Sequence, residues 1–229
     1  MIQFYNVTKL YPNGAKAIND LSLRIKQGDF AFLVGPSGAG KSTIAKLIFR
    51  EEKPTAGQIF FNGRNALRFR GREVVAMRRK IGMVFQDFRL LSQKTAYENV
   101  AFALEVTGVS RWEVRKRVPE VLKQVGLEDK MDRFPAQLSG GEQQRVCVAR
   151  AIVKNPVLIL ADEPTGNLDP ETSRELMELF LEINQSGTTI VIATHAWDIV
   201  NELKKRVIAL ESGRIVRDEE QGSYGYGDS

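Results

Sequence analysis

Residues 35–42 read Gly-Pro-Ser-Gly-Ala-Gly-Lys-Ser, which is the pattern G-x-x-x-x-G-K-[ST]. An apolar run, Phe30–Val34, precedes this loop, and Ile44, Leu47 and Ile48 follow it at helical spacing. A glycine-rich loop between a strand and a helix is the context that a phosphate-binding loop requires. Glycine lets successive backbone N–H groups turn around a triphosphate, and the helix N-terminus adds a positive dipole. We therefore expect the chain to bind a nucleotide.

The loop supplies most of the predicted nucleotide-binding residues. We expect Lys41 to place a positive charge near the β- and γ-phosphates, and the Ser42 hydroxyl to bind Mg²⁺. A glycine-rich turn that binds nothing is disfavoured, because strand, loop and helix occur in the required order. The predicted residues of the loop are Gly35, Pro36, Ser37, Gly38, Ala39, Gly40, Lys41, Ser42 and Thr43.

The composition is that of an ordinary globular protein. The chain has 229 residues, of which 43% are hydrophobic and 27% charged, so one full core with an inserted subdomain is expected. No apolar run reaches the ~18–20 residues of a membrane span, and the N-terminus shows no signal-peptide pattern. The single cysteine, Cys147, excludes an internal disulfide and is expected on a buried helix face. We expect a cytosolic protein.

The net charge of +5 comes from basic residues spread along the chain. The densest clusters, Arg64–Arg79 and Arg111–Arg117, are interleaved with helix-forming residues. Solvated helix faces explain such clusters better than nucleic-acid binding does, so no nucleic-acid partner is expected. The same charge balance suits a protein that docks at an anionic inner membrane leaflet.

Hydrophobic patterning predicts a mixed α/β core with a helical insert. Period-two alternation in residues 2–7 and 21–25 predicts antiparallel strands, which we expect to flank the strand before the loop. Short strands are also predicted at Gln58–Phe61 and Ile81–Phe85. Continuous apolar runs are typical of strands covered on both faces of a parallel sheet. These runs are Val157–Ala161, Thr189–Ala193 and Val207–Leu210.

Between these strand regions, residues 88–155 show helical periodicity. Pro119 lies within this segment, and we expect it to kink or split a helix. A further helix is predicted between Asp169 as N-cap and Gly187, with Pro170 as its first residue. The domain prediction is a catalytic core of residues 1–87 and 156–217, a helical subdomain of 88–155 and a flexible tail of 218–229.

Two further chemical groups follow buried strands. Asp162 and Glu163 end the run Val157–Ala161; we expect Asp162 to hold Mg²⁺ and Glu163 to polarise an attacking water. His195, the only histidine, follows Thr189–Ala193 at the same expected sheet edge. Ligands bind at the carboxyl ends of strands in such sheets, so His195 is expected to hydrogen-bond the γ-phosphate rather than to be structural.

The stretch Leu138–Gln144 reads LSGGEQQ and precedes a helical run. Ser139, Gly140 and Gly141 are predicted either to bind a second anion at a helix N-terminus or to form an ordinary N-cap. The spacing leaves both interpretations open, because one nucleotide does not need two such cradles from the same subunit.

Together these motifs resemble the ABC-type ATPase family, in family order and over essentially the whole chain. The resemblance rests on Gly35–Ser42, Gln86, Leu138–Gln144, Ala161–Asp169 and His195. It implies a P-loop NTPase (RecA-like) α/β core with a mixed sheet and a helical subdomain. It also implies ATP hydrolysis with Mg²⁺, and Gln86 as a metal and catalytic residue that couples the site to the helical subdomain.

The family's architecture resolves the question about LSGGEQQ. It implies a homodimer in the ATP state, in which Ser139, Gly140 and Gly141 of one copy complete the site of the other. Tyr11 falls where the family places an aromatic residue on adenine, although Tyr5 is nearby. Phe88, Leu90 and Leu91 are implied as part of a groove for a membrane partner's cytoplasmic helix; core packing is the alternative.

Within the family, the segments Ile81–Leu91 and Ala161–Asp169 are similar to the cell-division branch. This similarity implies a peripheral protein at the cytoplasmic face of the cell membrane, an integral membrane partner and an indirect link to extracellular cell-wall hydrolases. The alternative is the ATPase subunit of a lipoprotein or macrolide exporter. A soluble nucleic-acid-associated member is disfavoured, because those carry two ATPase units or a long coiled coil.

Overall fold

The computed structural model describes residues 1–225, in which two β-sheets and seven α-helices form an α/β structure. The strands are β1 (Ile2–Leu10), β2 (Lys16–Ile25), β3 (Phe30–Val34), β4 (Ala56–Phe61), β5 (Arg64–Asn65), β6 (Ile81–Phe85), β7 (Leu158–Asp162), β8 (Thr189–Ala193), β9 (Arg206–Glu211) and β10 (Arg214–Glu219). The helices are α1 (Lys41–Ile48), α2 (Arg72–Arg79), α3 (Ala96–Glu105), α4 (Arg111–Gln124), α5 (Gly140–Ile152), α6 (Pro170–Gln185) and α7 (Trp197–Leu203).

The larger sheet has the strand order β10-β9-β3-β8-β7-β6. Its strands are parallel except β10, which pairs with β9 in the antiparallel sense. Both faces are covered. In β3, Phe30 and Phe32 pack in one hydrophobic cluster, whereas Ala31 and Leu33 pack in the other. Burial on both faces explains the continuous apolar runs of the sequence.

The smaller sheet corrects one expectation. The N-terminal strands β1 and β2 do not flank β3; they pair with each other and with β4 and β5 in a separate antiparallel sheet. Alternate residues of β1, such as Ile2 and Phe4, are buried and pack in a cluster with Leu33 of β3 and Ile44 of α1. The strands therefore meet the larger sheet face to face rather than edge to edge.

The helical segment is present where the periodicity predicts it, as α3, α4 and α5. A kink or a split was expected at Pro119; no split occurs, since α4 is one helix from Arg111 to Gln124 with this proline inside it. The prediction for α6 is confirmed: Asp169 Oδ1 accepts a hydrogen bond from the Thr172 N–H (3.0 Å), and Pro170 is the first helical residue. Within residues 1–225, no helix is long and apolar enough to cross a membrane.

The C-terminal segment differs from the predicted flexible tail in the part that the structure describes. Strand β10 extends to Glu219. Beyond it, the Gly222 N–H donates to the Lys205 carbonyl (3.1 Å) and the Tyr224 N–H donates to Asn201 Oδ1 (2.6 Å). Residues 220–225 are thereby fastened to the segment between α7 and β9. The rest of the predicted tail, residues 226–229, lies outside the described residues.

The single cysteine is buried on α5, as expected. Cys147 is fully buried and its thiol donates a hydrogen bond to the Phe88 carbonyl (3.0 Å). Burial raises the pKa of the Cys147 thiol to about 12, with the Arg150 charge acting in the opposite direction. The thiol is therefore protonated at neutral pH and chemically inert in the folded chain.

This environment gives a direct test of the fold around α5. At pH 8 we expect a soluble thiol reagent to label the folded chain at least ~100-fold more slowly than the urea-unfolded chain, because only the thiolate reacts. The two rates are compared by mass spectrometry, with Cys147→Ser as the unlabelled control. Equal rates in the two states would contradict the buried position of Cys147.

Candidate nucleotide-binding site

The register of the parallel strands determines where the candidate site lies, because four paired residues form one line across the sheet. Leu33 of β3 pairs with Ala193 of β8, Ala193 with Asp162 of β7, and Asp162 with Phe85 of β6. The chain leaves each strand at or just after this line. The loop 35–42, His195, Glu163 and Gln86 therefore emerge at the same edge of the sheet.

The conformation of the loop requires glycine at two positions. Gly35 has a φ of 140°, and a Cβ there would lie 2.2 Å from the Leu210 carbonyl oxygen. Gly40 has a φ of 109°, and a Cβ there would lie 2.6 Å from the Ala17 carbonyl oxygen. Any other residue would be strained at both positions and would collide with backbone. The loop then leads directly into α1, whose first residue is Lys41.

Lys41 begins α1, and its side chain reaches back to the loop, with only 6% of the residue's surface exposed. Its ammonium donates to the carbonyls of Gly35 (2.7 Å) and Pro36 (3.2 Å), and lies 3.0 Å from His195 Nε2. Burial lowers the Lys41 pKa, whereas the charges of Glu163 and Asp162 act to raise it. A buried ammonium held only by two carbonyl oxygens and a ring nitrogen can turn to an anion such as a phosphate, with which it forms a stronger charge-assisted hydrogen bond.

The two carboxylates face different partners. The Ser42 hydroxyl donates to Asp162 Oδ1 (3.3 Å). Glu163 Oε2 accepts from the His195 backbone N–H (3.1 Å), and Glu163 Oε1 lies 3.4 Å from His195 Nε2. Glu163 also has a φ of 49°, an uncommon conformation for a non-glycine residue. Strain of this kind concentrates at functional sites.

The donor set around Ser42 fits Mg²⁺. A hydroxyl and a carboxylate oxygen lie 3.3 Å apart, and Mg²⁺ prefers such hard oxygen ligands together with water and substrate phosphates. The structure has no group of three or more His, Cys, Asp and Glu side chains suited to a metal within residues 1–225.

These residues line one open cleft with a volume of about 500 Å³. Lys16 also lines the cleft, which was not predicted from the sequence. Lys16 pairs with Leu10 across the β1–β2 hairpin, which brings it close to Tyr11, the residue after Leu10. The turn Pro12-Asn13-Gly14 was the sequence signal for this proximity. The lining residues are Tyr11, Ala15, Lys16, Ala17, Ser37, Gly38, Gly40, Lys41, Ser42, Thr43, Gln86, Asp162, Glu163 and His195.

The structure separates the two tyrosines near the N-terminus. Tyr11 lines the cleft, and its hydroxyl lies 3.5 Å from Thr43 Oγ1. Tyr5 does not line the cleft; its ring contacts Phe60 edge-on at 5.5 Å between centroids. Of the two, only Tyr11 is placed to meet a ligand of the loop.

Gln86 connects the cleft to the loop before α6. The Gln86 side-chain amide donates to Asn167 Oδ1 (3.5 Å), and the Asn167 amide donates to the Gln86 carbonyl (3.0 Å). A Cβ on Gly166 would lie 2.8 Å from Gln86 Nε2. Any larger residue at position 166 would therefore displace the Gln86 side-chain amide from this position.

The stretch Ser139–Gly141 does not line the cleft of its own chain. Ser139 is the N-cap of α5, and its hydroxyl accepts from the Glu142 N–H (3.2 Å). A Cβ on Gly141 would meet the Thr172 methyl at 2.3 Å, at the start of α6. Ser139 thus forms an ordinary capping box, and the stretch contributes nothing to the cleft of the same copy.

The three apolar residues after β6 do not form one exposed surface. Phe88 and Leu90 are partly buried and pack against the main hydrophobic cluster, as the core alternative predicted. Leu91 is 38% exposed. An open groove does lie nearby, between β6 and α3, and Phe102 and Val106 line it.

Comparison with known proteins assigns the family. The family model for the ABC transporter matches residues 18–166. The chain belongs to the ABC transporter ATPase family. It is 58% identical to the cell division ATP-binding protein FtsE of Bacillus subtilis (strain 168) over 98% of this chain and 99% of that protein. It is 53% identical to FtsE of Mycobacterium tuberculosis, over 98% of both chains. The chain is an ABC-type ATPase that binds a nucleotide.

Solved ABC structures share the fold of this family member. A dimeric structure of MJ0796, a bacterial ABC transporter cassette, aligns with a TM-score of 0.87 at 40% identity, over 98% of this chain and all of that chain. The post-hydrolysis structure of the same cassette, a dimer bound to ADP and Pi, has a TM-score of 0.87 at 39% identity. These comparisons confirm the predicted fold class.

The two tyrosines give a matched test of the ABC ATPase cleft. Stacking of a base on an aromatic ring contributes roughly 1–3 kcal/mol, so we expect Tyr11→Ala to weaken ATP binding about 5- to 150-fold. Tyr5→Ala removes a similar ring outside the cleft and is expected to leave the affinity unchanged. Calorimetric titration of both variants checks this, and equal losses, or a loss only in Tyr5→Ala, would contradict the assignment.

Proposed function

We propose that this chain is the ATPase subunit of a cell-division complex of the FtsE–FtsX type, at the cytoplasmic face of the cell membrane. The cell-division role is supported by identities of 58% and 53% to two FtsE proteins over 98% of the chain. One observation supports the mechanism most strongly. The phosphate loop and both carboxylates line the cleft, whereas Ser139–Gly141 lie outside it.

In this proposal one copy of the chain binds most of the ATP. The N–H groups of the loop and the start of α1 surround the phosphates, and the Lys41 ammonium turns from the carbonyls of Gly35 and Pro36 toward the β- and γ-phosphates. Tyr11 stacks on the adenine. The buried position of Lys41 strengthens its attraction for the triphosphate, because the surroundings screen charge less than water does.

Ser42 and Asp162, with the Gln86 amide nearby, would hold Mg²⁺. Bound there, the cation neutralises charge on the β- and γ-phosphates. The Asp162 carboxylate and the Ser42 hydroxyl are oriented for this task by the hydrogen bond between them. The contact between Gln86 and Asn167 links the same region to the loop before α6.

Glu163 and His195 have separate roles in hydrolysis: Glu163 acts on the attacking water, and His195 contacts the γ-phosphate. Glu163 accepts the proton of the attacking water, and its backbone strain and its bond to the His195 N–H hold its carboxylate toward the cleft. The His195 ring, 3.0 Å from the Lys41 ammonium, reaches the place where a γ-phosphate would meet Lys41. It therefore forms a hydrogen bond to that phosphate and responds to its presence.

A second copy completes the site. Ser139, Gly140 and Gly141 lie at the N-terminus of α5, where N–H groups and the helix dipole favour an anion. Since they do not line the cleft of their own chain, they contact the ATP of a partner copy in a head-to-tail homodimer. ATP binding closes this dimer, and hydrolysis with product release loosens it. The dimeric MJ0796 structures support this arrangement.

The closed dimer changes the conformation of a membrane partner that binds to it. The groove between β6 and α3 has a volume of about 340 Å³, and Phe102 (41% exposed) and Val106 (60% exposed) lie one turn apart along its wall. Exposed apolar side chains in a groove mark an interaction site. We assign the groove to a cytoplasmic helix of an integral membrane protein of the FtsX type. Through that protein, ATP turnover regulates cell-wall hydrolases outside the cell.

Replacing the proposed base tests the enzymatic part. We expect Glu163→Gln to lower ATP turnover at least ~100-fold, because a general base contributes about that much, while ATP binding persists. The trapped ATP should hold a stable dimer, measured by light scattering at saturating ATP. Lys41→Ala is the matched control that loses nucleotide binding and remains monomeric. A Glu163→Gln chain that turns over ATP normally, or stays monomeric with ATP bound, would contradict the proposal.

The same trapped variant tests the membrane part by co-purification from solubilised membranes of the native host. A small FtsX-like membrane protein is the expected companion. A larger permease would instead assign the chain to an exporter, and the absence of any integral membrane protein would contradict both.

A further inference from the structure

The charged side chains that line the groove between β6 and α3 are all cations. Three cations, Arg89, Arg150 and Lys154, line it together with apolar residues, and no carboxylate lines it within the described chain. The apolar lining residues come from β6, from the end of α1, from α5 and from α3. They are Phe49, Ile81, Met83, Phe85, Phe102, Ala103, Val106 and Ala151.

Two of the three cations are already engaged by their own chain. Arg89 pairs with Asp87 (3.1 Å), and its guanidinium lies 3.9 Å from the Phe85 ring centroid. Arg150 donates to the carbonyls of Phe88 (2.7 Å) and Arg89 (2.5 Å). Both guanidinium groups therefore hold the segment after β6 in place, and their hydrogen-bonding capacity is largely used there.

Lys154 differs from both arginines. Its ammonium, which can donate three hydrogen bonds, makes one long contact, to the Ile81 carbonyl (3.4 Å), and has no ion-pair partner among residues 1–225. Burial lowers the Lys154 pKa, and the nearby Arg150 charge lowers it further. An ammonium held in a partly buried groove without a counter-charge is unfavourable, and it gains most from an incoming carboxylate.

We infer that the groove selects a partner helix that presents an acidic side chain among its apolar contacts, paired with Lys154. This inference rests on the proposed docking of a membrane partner and adds the chemistry that the partner must carry. The apolar lining receives one face of an amphipathic helix. The carboxylate fixes which helix binds and in which register, because a cationic side chain in its place would meet three cations, of which only Arg89 has a carboxylate partner in its own chain.

The shape of the site favours a helix over a flat anionic lipid surface. Lys154 is half-buried beside Ile81 and Ala151 inside the groove, so a planar array of headgroups would not reach its ammonium. A side chain projecting from a helix would. The exposed walls Phe102 and Val106 also suit a helix that inserts between β6 and α3.

Three synthetic helices of about 15 residues, a length at which designed peptides are partly helical, test the inference. They share one apolar face of leucine and phenylalanine and differ at its centre, which carries glutamate, glutamine or lysine. Binding to the full chain is measured by fluorescence anisotropy. We expect the glutamate peptide to bind at least about tenfold more tightly than the lysine peptide, with a preference that shrinks as salt rises.

Variants of the chain assign the preference to one residue. Lys154→Met keeps an apolar stem and should abolish the preference; Lys154→Glu should reverse it in favour of the lysine peptide. Lys53→Glu, an exposed lysine before β4, is the matched control and should leave the preference unchanged. ATP-dependent dimerisation, measured on each variant, shows that the chain is folded and reports the proposed function independently.

The outcomes separate the two proposals. Equal binding of the three peptides, no measurable binding of any of them, or a preference that survives Lys154→Met would overturn the inference while leaving ATPase activity and membrane co-purification intact. Binding to phosphatidylglycerol vesicles that is lost in Lys154→Met would also overturn it, in favour of a lipid headgroup. Failure of the unmodified chain to dimerise when ATP is added would instead count against the proposed function.

Discussion

The structure depends on the register of four parallel strands. Leu33, Ala193, Asp162 and Phe85 form one line across β3, β8, β7 and β6, and parallel strands must all leave this line in the same direction. A shift of one residue in any strand would turn its buried side chains to the opposite face. Because both faces of the sheet are packed, the hydrophobic cores fix the register of the strands. That register in turn fixes the positions of the residues proposed to be catalytic.

Strand β6 joins the chemistry to the proposed docking groove. Its carboxyl end delivers Gln86 to the cleft, where the side-chain amide contacts Asn167. Its side chains Ile81, Met83 and Phe85 line the groove, together with Ala151 at the end of α5 and Lys154 in the turn after it. The N-terminus of that same helix carries Ser139. Helix α5 therefore spans from the surface proposed to contact a second copy to the groove proposed to contact a membrane protein.

Local sequence signals were sufficient where local chemistry decides the structure. The glycine loop, the N-cap Asp169 and the strand Thr189–Ala193 could be predicted because each depends on backbone sterics, capping or burial over a few residues. The position of β1 and β2 could not, because alternation in a strand shows that one face is buried but not against which sheet. The hydrogen bond from the Tyr224 N–H to Asn201 could not be predicted either, because the polar composition of that segment gives no sign of it. The groove depends on side chains from four separate segments, and no single segment predicts it.

The central claim is that one chain holds an incomplete site, and ATP turnover by Ser139→Arg tests it most directly. Ser110→Arg is the matched control, because the Ser110 hydroxyl also caps a helix, accepting a hydrogen bond from the Glu113 N–H at the start of α4, and each substitution removes a side-chain cap contributing ~1 kcal/mol. We expect Ser139→Arg to bind ATP with unchanged affinity and to lose turnover, while Ser110→Arg retains it. A Ser139→Arg chain that hydrolyses ATP at the unmodified rate would contradict the account.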